Sequence, residues 1–150
     1  MSIPVISVEV YHSAFDAGFA KVAEFANNIM AGPMAEMERA FRYTNSIEEG
    51  WWKNPEVTDV GPRVLKDGGA RSTSVGDYMR VWYADGSYEW YVVAGMGFEK
   101  VEDNTVVEYE GYNYYKGQVL SRYGKEMTFA ELRESMADHD PKVARMESAA

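Results

Sequence analysis

The sequence predicts an α+β protein, with an antiparallel sheet of about four to six strands and two or three short helices packed on one face. Two aromatic, β-branched runs flank an Asp-Gly pair, which is typical of a β-hairpin. Other alternating runs indicate further strands, and helix-start signals precede apolar stripes. With 150 residues, 46% of them hydrophobic, the chain is long enough to bury one core. It is therefore predicted to be a single domain, 1–150, with 141–150 as a frayed tail.

The N-terminal third begins with a strand, because residues 3–11 alternate and are β-branched. Residues 13–30 are ambiguous. The alternation of FAKVAEF fits a short strand, whereas helical spacing relates Phe15, Phe19, Val22, Ala26 and Ile29. The spacing favours a helix. A second helix is predicted to start at Gly32-Pro33, since Pro suits the first helical position. Its apolar face and its end are supplied by Met34, Met37, Phe41 and Asn45.

The centre of the chain contains a long loop-like segment and then the hairpin. Residues 46–70 hold Asn-Pro, Gly-Pro and Gly-Gly pairs, which are typical of loops, and their length indicates function or mobility. Residues 77–83 and 88–94 flank the turn Ala84-Asp85-Gly86-Ser87. Gly95 and Gly97 indicate a bulge or bend before strands at 98–101 and 105–115.

A short helix is predicted near the C-terminus. Thr128 and Glu131 form a T-x-x-E capping box, and Phe129, Leu132 and Met136 follow as an apolar stripe. Pro141 ends the helix.

Charge and composition limit the function classes. Lys and Arg number 15 against 24 Asp and Glu, a net charge of −9, whereas duplex-binding proteins usually show the opposite balance. Residues 99–140 hold ten acids and five bases, a net charge of −5. This predicts either a solvated surface that aids solubility or an acidic face for a basic protein partner, with no direct nucleic-acid binding. No apolar run is long enough for a membrane span, so a cytoplasmic protein is expected.

No cofactor, metal site or catalytic residue is predicted. There is no Cys, which excludes disulfides and thiol catalysis, and there are two His residues. His12 is expected in a turn. Asp138-His139-Asp140 is interpreted as the solvated end of a helix, because adjacent helical side chains point in different directions and cannot converge on one ion. Glu108 and Glu110 share a strand face about 7 Å apart, and we expect that face to be exposed.

The aromatic residues give the strongest indication of function at the residue level. They make up 14% of the chain, and Tyr and Trp at exposed positions are typical anchors of protein interfaces. Core packing is the alternative interpretation. The predicted partner-binding residues are Trp51, Trp52, Tyr112, Tyr114, Tyr115, Glu108 and Glu110.

Four blocks of sequence carry a resemblance to a known pattern. They are AFRYTNSI from Ala40, WWKNPEV from Trp51, RSTSVGD from Arg71 and YVVAGMGFE from Tyr91. In this order they resemble small proteins of bacteriophages and mobile elements and, more distantly, the YodL-like domain. The resemblance covers about residues 37–102. It implies an accessory gene product that acts in the host cytoplasm, and it favours a strand at residues 19–25.

The RSTSVGD block is expected to form a structured turn. Ser72 or Ser74 would bond the turn backbone, Gly76 would allow a positive φ, and Asp77 would accept backbone N–H groups and pair with Arg71. A binding role for the same residues, such as an anion site, is the alternative.

The leading functional hypothesis is an accessory protein of a phage or mobile element that binds and inhibits or redirects a host protein. The favoured target is host-defence machinery, of the anti-CRISPR or anti-restriction type, with a basic surface. One alternative is a small-ligand-binding protein or enzyme that uses the 71–77 turn. Another is a virion or assembly component. A homodimer is left open.

Overall fold

The computed structural model describes residues 3–14, 19–26, 32–45, 50–115 and 118–136. The chain divides into two compact units. The first contains Met1–Tyr11 and Lys21–Val101, and the second contains His12–Ala20 and Glu102–Ala150. No helix among these described residues is long and apolar enough to cross a membrane. The single domain of the sequence analysis stays a prediction.

A six-stranded antiparallel sheet forms the first unit, in the order β3-β2-β1-β4-β5-β6. It confirms the predicted α+β class. The strands are β1 Val5–His12, β2 Ala20–Ala26, β3 Asp59–Val60, β4 Tyr78–Tyr83, β5 Tyr88–Val93 and β6 Phe98–Val101. The helices of this unit are α1 Pro33–Tyr43 and α2 Pro62–Asp67, with a 3₁₀ turn at Trp51–Lys53.

One face of this sheet and helix α1 share the main core. Strand residues two apart point to the same face, so alternate residues of β1 and β4 enter one buried cluster. Val8, Val10, Met79 and Val81 are each completely buried there, together with Met37 of α1. The strand–turn–strand at 78–93 is the predicted hairpin, and Gly86 in its turn has φ +87°.

The helix predicted within residues 13–30 is wrong for the part that the structure describes. Residues Ala20–Ala26 form β2, as the alternation of this segment and the resemblance had favoured. Ala23 and Phe25 alternate into the core, and Ala23 pairs with Val60 of β3. Pairing within the sheet therefore overrides the helical spacing. Phe15 and Ile29 lie outside the described residues.

The segment 46–70 is more structured than predicted. From residue 50 onward it contains the 3₁₀ turn, β3 and α2. Helix α2 starts at Pro62 and ends at Gly68, which takes the left-handed conformation with φ +77°. Gly61 lies against β2, because a Cβ there would stand 2.2 Å from the carbonyl oxygen of Lys21.

The second unit contains a long hairpin and a helix. Strands β7 Val106–Tyr115 and β8 Gln118–Thr128 pair antiparallel, and helix α3 Phe129–Met136 follows. The capping box is confirmed: the Glu131 N–H donates to Thr128 Oγ1 at 3.2 Å, and the Thr128 N–H donates to Glu131 Oε1 at 3.1 Å. Phe129 is buried, and its ring lies 6.0 Å from that of Phe19, which the chain supplies to this unit from its N-terminal part. Strand β8 was not predicted from the sequence.

Candidate functional site

The two tryptophans predicted as interface anchors make packing contacts within the first unit. Trp51 is only 2% exposed, and its indole N–H donates to the carbonyl oxygens of Arg71 at 2.9 Å and Ala70 at 3.2 Å. Trp51 is therefore a core residue rather than an exposed anchor, which corrects the prediction. The Trp51 indole ties the 3₁₀ turn to the start of the RSTSVGD block, about twenty residues further along the chain.

Trp52 is half-buried and lies against two glycines. Its ring meets that of Trp51 edge to face, with centroids 5.8 Å apart. A Cβ at Gly50 would stand 2.3 Å from the Trp52 ring, and one at Gly69 would stand 2.4 Å from it. These glycines let the backbone approach the indole closely, so the Trp52 side chain has a packing role.

The 71–77 turn has the structural bonds that the sequence predicts. The Arg71 guanidinium donates to both carboxylate oxygens of Asp77, at 2.6 and 2.8 Å, and also to the Ser72 carbonyl oxygen at 2.9 Å. The Ser74 N–H donates to Asp77 Oδ2 at 2.8 Å, while the Ser74 hydroxyl lies 3.4 Å from the Ser72 carbonyl oxygen. Gly76 has φ +94°. Asp77 is completely buried, so this turn is a rigid, internally bonded element.

The predicted residues on the second unit lie along β7. Glu108 is exposed and stands opposite Glu126 of β8, which is exposed as well. Like charges opposite each other destabilise a strand pair, so this hairpin carries an acidic surface at some cost in stability. For Glu110, Tyr112, Tyr114 and Tyr115 the structure describes the backbone alone, and their binding role stays a prediction.

Four aromatic rings surround Arg80 on the face of the sheet opposite to the main core. The guanidinium carbon lies 4.6 Å from the Trp82 ring centroid, 4.9 Å from Trp90, 5.2 Å from Tyr88 and 5.7 Å from Tyr11. Cation–π attraction favours each of these positions. We call these five residues, with Glu9, the aromatic–arginine surface.

Buried Glu9 fixes the position of Arg80. Its Oε1 accepts from Arg80 Nε and from the Trp82 indole N–H, each at 2.6 Å, and Lys21 Nζ lies 2.9 Å from its Oε2. Arg80 also donates to the Tyr11 hydroxyl at 3.0 Å. Burial alone would raise the pKa of Glu9, but hydrogen bonds from Arg80, Lys21 and Trp82 outweigh it and hold the pKa below its ordinary value of 4.5. Glu9 therefore stays ionised and keeps the guanidinium in place.

The solvent side of this surface is formed by Trp82 and Tyr88. Their ring centroids are 4.9 Å apart, Tyr88 is 46% exposed and Trp82 is half-buried. This surface was not predicted from the sequence, although a signal was present. Residues 80 and 82 share one strand face, as do residues 88 and 90, so the alternation of the hairpin already placed them side by side.

A pocket of about 280 Å³ lies elsewhere in the first unit. It is lined by Glu38, Phe41, Val75, Val93, Ala94, Gly95, Gly97 and Phe98. Within the described ranges, no group of three or more His, Asp or Glu side chains could hold a metal ion.

Comparison with known proteins gives no match: no protein-family model, no curated protein and no solved structure is similar to this chain.

Proposed function

We propose that the protein is an accessory protein of a bacteriophage or mobile element that binds a host protein and inhibits or redirects it. The aromatic–arginine surface is the observation that carries this proposal. Trp, Tyr and Arg are the residues most enriched among the hot spots of protein interfaces. Here all three stand together on adjacent strands, with Tyr88 46% exposed.

The surface is ordered before any partner arrives. Glu9 and Tyr11 bond the Arg80 guanidinium, and the rings of Trp82 and Tyr88 pack on each other. A partner therefore has little side-chain entropy to remove from these groups, and such preorganisation favours affinity.

The charge of the chain supports a basic partner. The net charge is −9, and the exposed Glu108–Glu126 pair adds a local acidic surface on the second unit. Complementary charge speeds association and selects partners. Nucleic-acid-binding complexes of host defence, of the anti-CRISPR or anti-restriction type, present such basic surfaces and are the favoured target class.

The 71–77 turn supports the alternative of a small-ligand site less well, because Asp77 and Ser72 already accept the hydrogen bonds of Arg71. The virion alternative predicts high-order assembly in solution. Size-exclusion chromatography with light scattering separates it from the proposal, which expects a monomer or dimer.

The test uses two matched variants of the exposed surface. Tyr88→Ala removes an anchor that is 46% exposed, and Leu65→Ala removes a side chain on α2 that is 64% exposed. Each variant is compared with the wild type for capture of a stoichiometric protein from bacterial cytoplasm. Each is also expressed in a bacterium with an active CRISPR or restriction system, where the plating efficiency of a sensitive phage is measured.

We expect the wild type and Leu65→Ala to capture the same protein and to raise plating. Truncation of a hot-spot residue costs about 2 kcal/mol or more, so Tyr88→Ala should weaken binding by at least about 30-fold. A folded wild-type protein that captures nothing and leaves plating unchanged would overturn the proposal. If both variants lost binding equally, the aromatic–arginine surface would no longer support the proposal.

A further inference from the structure

The pocket beside the 71–77 turn has walls from four parts of the first unit. Phe41 comes from α1, Val75 from the turn, Val93 from the end of β5 and Phe98 from the start of β6. The rings of Phe41 and Phe98 meet edge to face with centroids 6.4 Å apart. Val93 and Trp90 are three residues apart on β5, so the pocket opens on the sheet face opposite to the aromatic–arginine surface.

Hydrogen bonds hold these walls in place. The Gly76 N–H donates to the Val93 carbonyl oxygen at 2.9 Å, and the Ala94 N–H donates to that of Gly97 at 2.9 Å. Asp77 fixes the other end of the turn through its bonds with Arg71. The pocket is therefore largely preformed, as ligand sites usually are.

The size of the pocket limits its occupant. A cavity of about 150 Å³ holds benzene, and sites for drug-sized ligands begin at about 300 Å³. A volume of about 280 Å³ fits one large apolar side chain. Val75 is 59% exposed at its wall, and Met96, between two lining glycines, is 97% exposed and flexible enough to fold against an occupant.

Glu38 sets the charge that the occupant should carry. It is exposed and is the one charged residue among the eight that line the pocket. A cation next to the apolar group would lie near this carboxylate, and the net charge of −9 favours such an occupant at longer range. An anionic occupant would be repelled by both.

We propose that this pocket receives an apolar side chain from a basic segment of a partner protein. The inference rests on the proposed function for the existence of a partner, and it names the chemistry of the segment that the partner inserts. It uses a surface separate from Tyr88, so the two sites are tested independently.

The experiment measures binding of two short peptides to the full chain by ¹H–¹⁵N NMR. The probes are acetyl-Lys-Phe-Lys-amide and acetyl-Glu-Phe-Glu-amide, titrated to about 5 mM because a single side chain supports only millimolar affinity. The variants are Val75→Asp, which places a charge on the apolar wall, and Glu38→Gln, which removes the charge at the pocket. Both positions are exposed, so the fold should tolerate the changes. Tyr88→Ala serves as the control on the other face.

We expect the Lys peptide to shift the amide signals of Val75, Ala94, Gly95, Gly97 and Phe98. It should bind about 1.5- to 5-fold more tightly than the Glu peptide, as one exposed ion pair allows. Glu38→Gln should abolish this preference, Val75→Asp should weaken binding of the Phe side chain, and Tyr88→Ala should change neither.

Three results would overturn the inference: no localised shifts with either peptide, equal affinity for both peptides, or shifts confined to the aromatic–arginine surface. Failure of the proposed function gives a different pattern. In that case host capture is absent while the pocket still binds the Lys peptide. If host capture depends on Tyr88 but neither peptide shifts the amide signals of the pocket, this inference fails and the proposed function stands.

Discussion

Replacing Arg71 with Ala should destabilise the first unit strongly, because the buried Asp77 carboxylate loses its ion-pair partner. Asp77 is 0% exposed and loses two charge-assisted donors, at 2.6 and 2.8 Å, while the Ser74 N–H at 2.8 Å remains. Removing one partner of a buried ion pair costs about 3–5 kcal/mol. The Ser74 N–H, which stays in place, and the 30% exposure of the Arg71 side chain put the expected loss at the lower end, about 3 kcal/mol.

The assay is urea unfolding followed by tryptophan fluorescence. All four tryptophans, Trp51, Trp52, Trp82 and Trp90, belong to the first unit, so the signal reports this unit. At this chain length a loss of about 3 kcal/mol lowers Tm by about 6–12 °C. Asp77→Asn keeps the shape of the side chain and removes its charge. In that background Arg71→Ala should cost less than about 1 kcal/mol, which gives a clear coupling energy.

Lys66→Ala provides the matched control, because Lys66 is an exposed cation on α2 in the same unit and should change stability by less than about 0.5 kcal/mol. The reasoning is refuted if Arg71→Ala behaves like this control. It is also refuted if Arg71→Ala costs the same with Asp77 and with Asn at that position, since the loss would then not arise from the pair.

Three further predictions concern other parts of the first unit. Gly69→Ala should cost more than about 2 kcal/mol in urea unfolding, because φ is +144° and the added Cβ would stand 2.4 Å from the Trp52 ring. The lowered pKa of Glu9 means that the wild type should lose stability as pH falls through that pKa, below 4.5, and Glu9→Gln should flatten this loss. Burial, helped by the negative charge of Asp77, raises the pKa of Tyr78 to about 12. Ionisation of Tyr78 should therefore lower stability between about pH 10 and 12, by at most about 2.7 kcal/mol, and Tyr78→Phe should remove this contribution in alkaline urea titrations.

Each of these has its own control. Gly68→Ala meets open space at φ +77° and should cost about 1 kcal/mol, so an equal effect at both glycines would contradict the contact with Trp52. Acid and alkaline profiles that are unchanged in Glu9→Gln and Tyr78→Phe would contradict the two pH predictions.

Local signals predicted most of the fold correctly. The hairpin at 78–93, helix α1 and the Thr128–Glu131 capping box each depend on residues close together in the sequence. Strand β2 lies between β1 and β3 in the sheet, and β3 comes from more than thirty residues away, so the helical spacing of its own residues was misleading. Strand β8 contains Gly124, Lys125 and Glu126, which are poor strand formers, and it forms opposite β7.

In the candidate site, too, contacts between residues close in sequence could be predicted, whereas contacts between distant strands could not. The bonds among Arg71, Ser74 and Asp77 were predicted because they lie within one turn. The clustering of Glu9 with Arg80 could not be predicted, because it requires the register of two strands about seventy residues apart. The sequence pattern predicted Trp51 and Trp52 as anchors, but it carries no information on burial, and Trp51 is buried whereas Trp82 is half-buried.

The contribution of residues 12–20 to the second unit sets an order of events during translation. Phe19 leaves the ribosome before Phe129, the ring it packs against, and the two are separated by 110 positions. At about 5–20 residues per second, Phe19 waits roughly 5–20 s for its partner. During that interval Phe19 lacks the ring against which it packs in the folded chain. Slow codons between the two positions should therefore lower the yield of native protein, and faster codons should raise it.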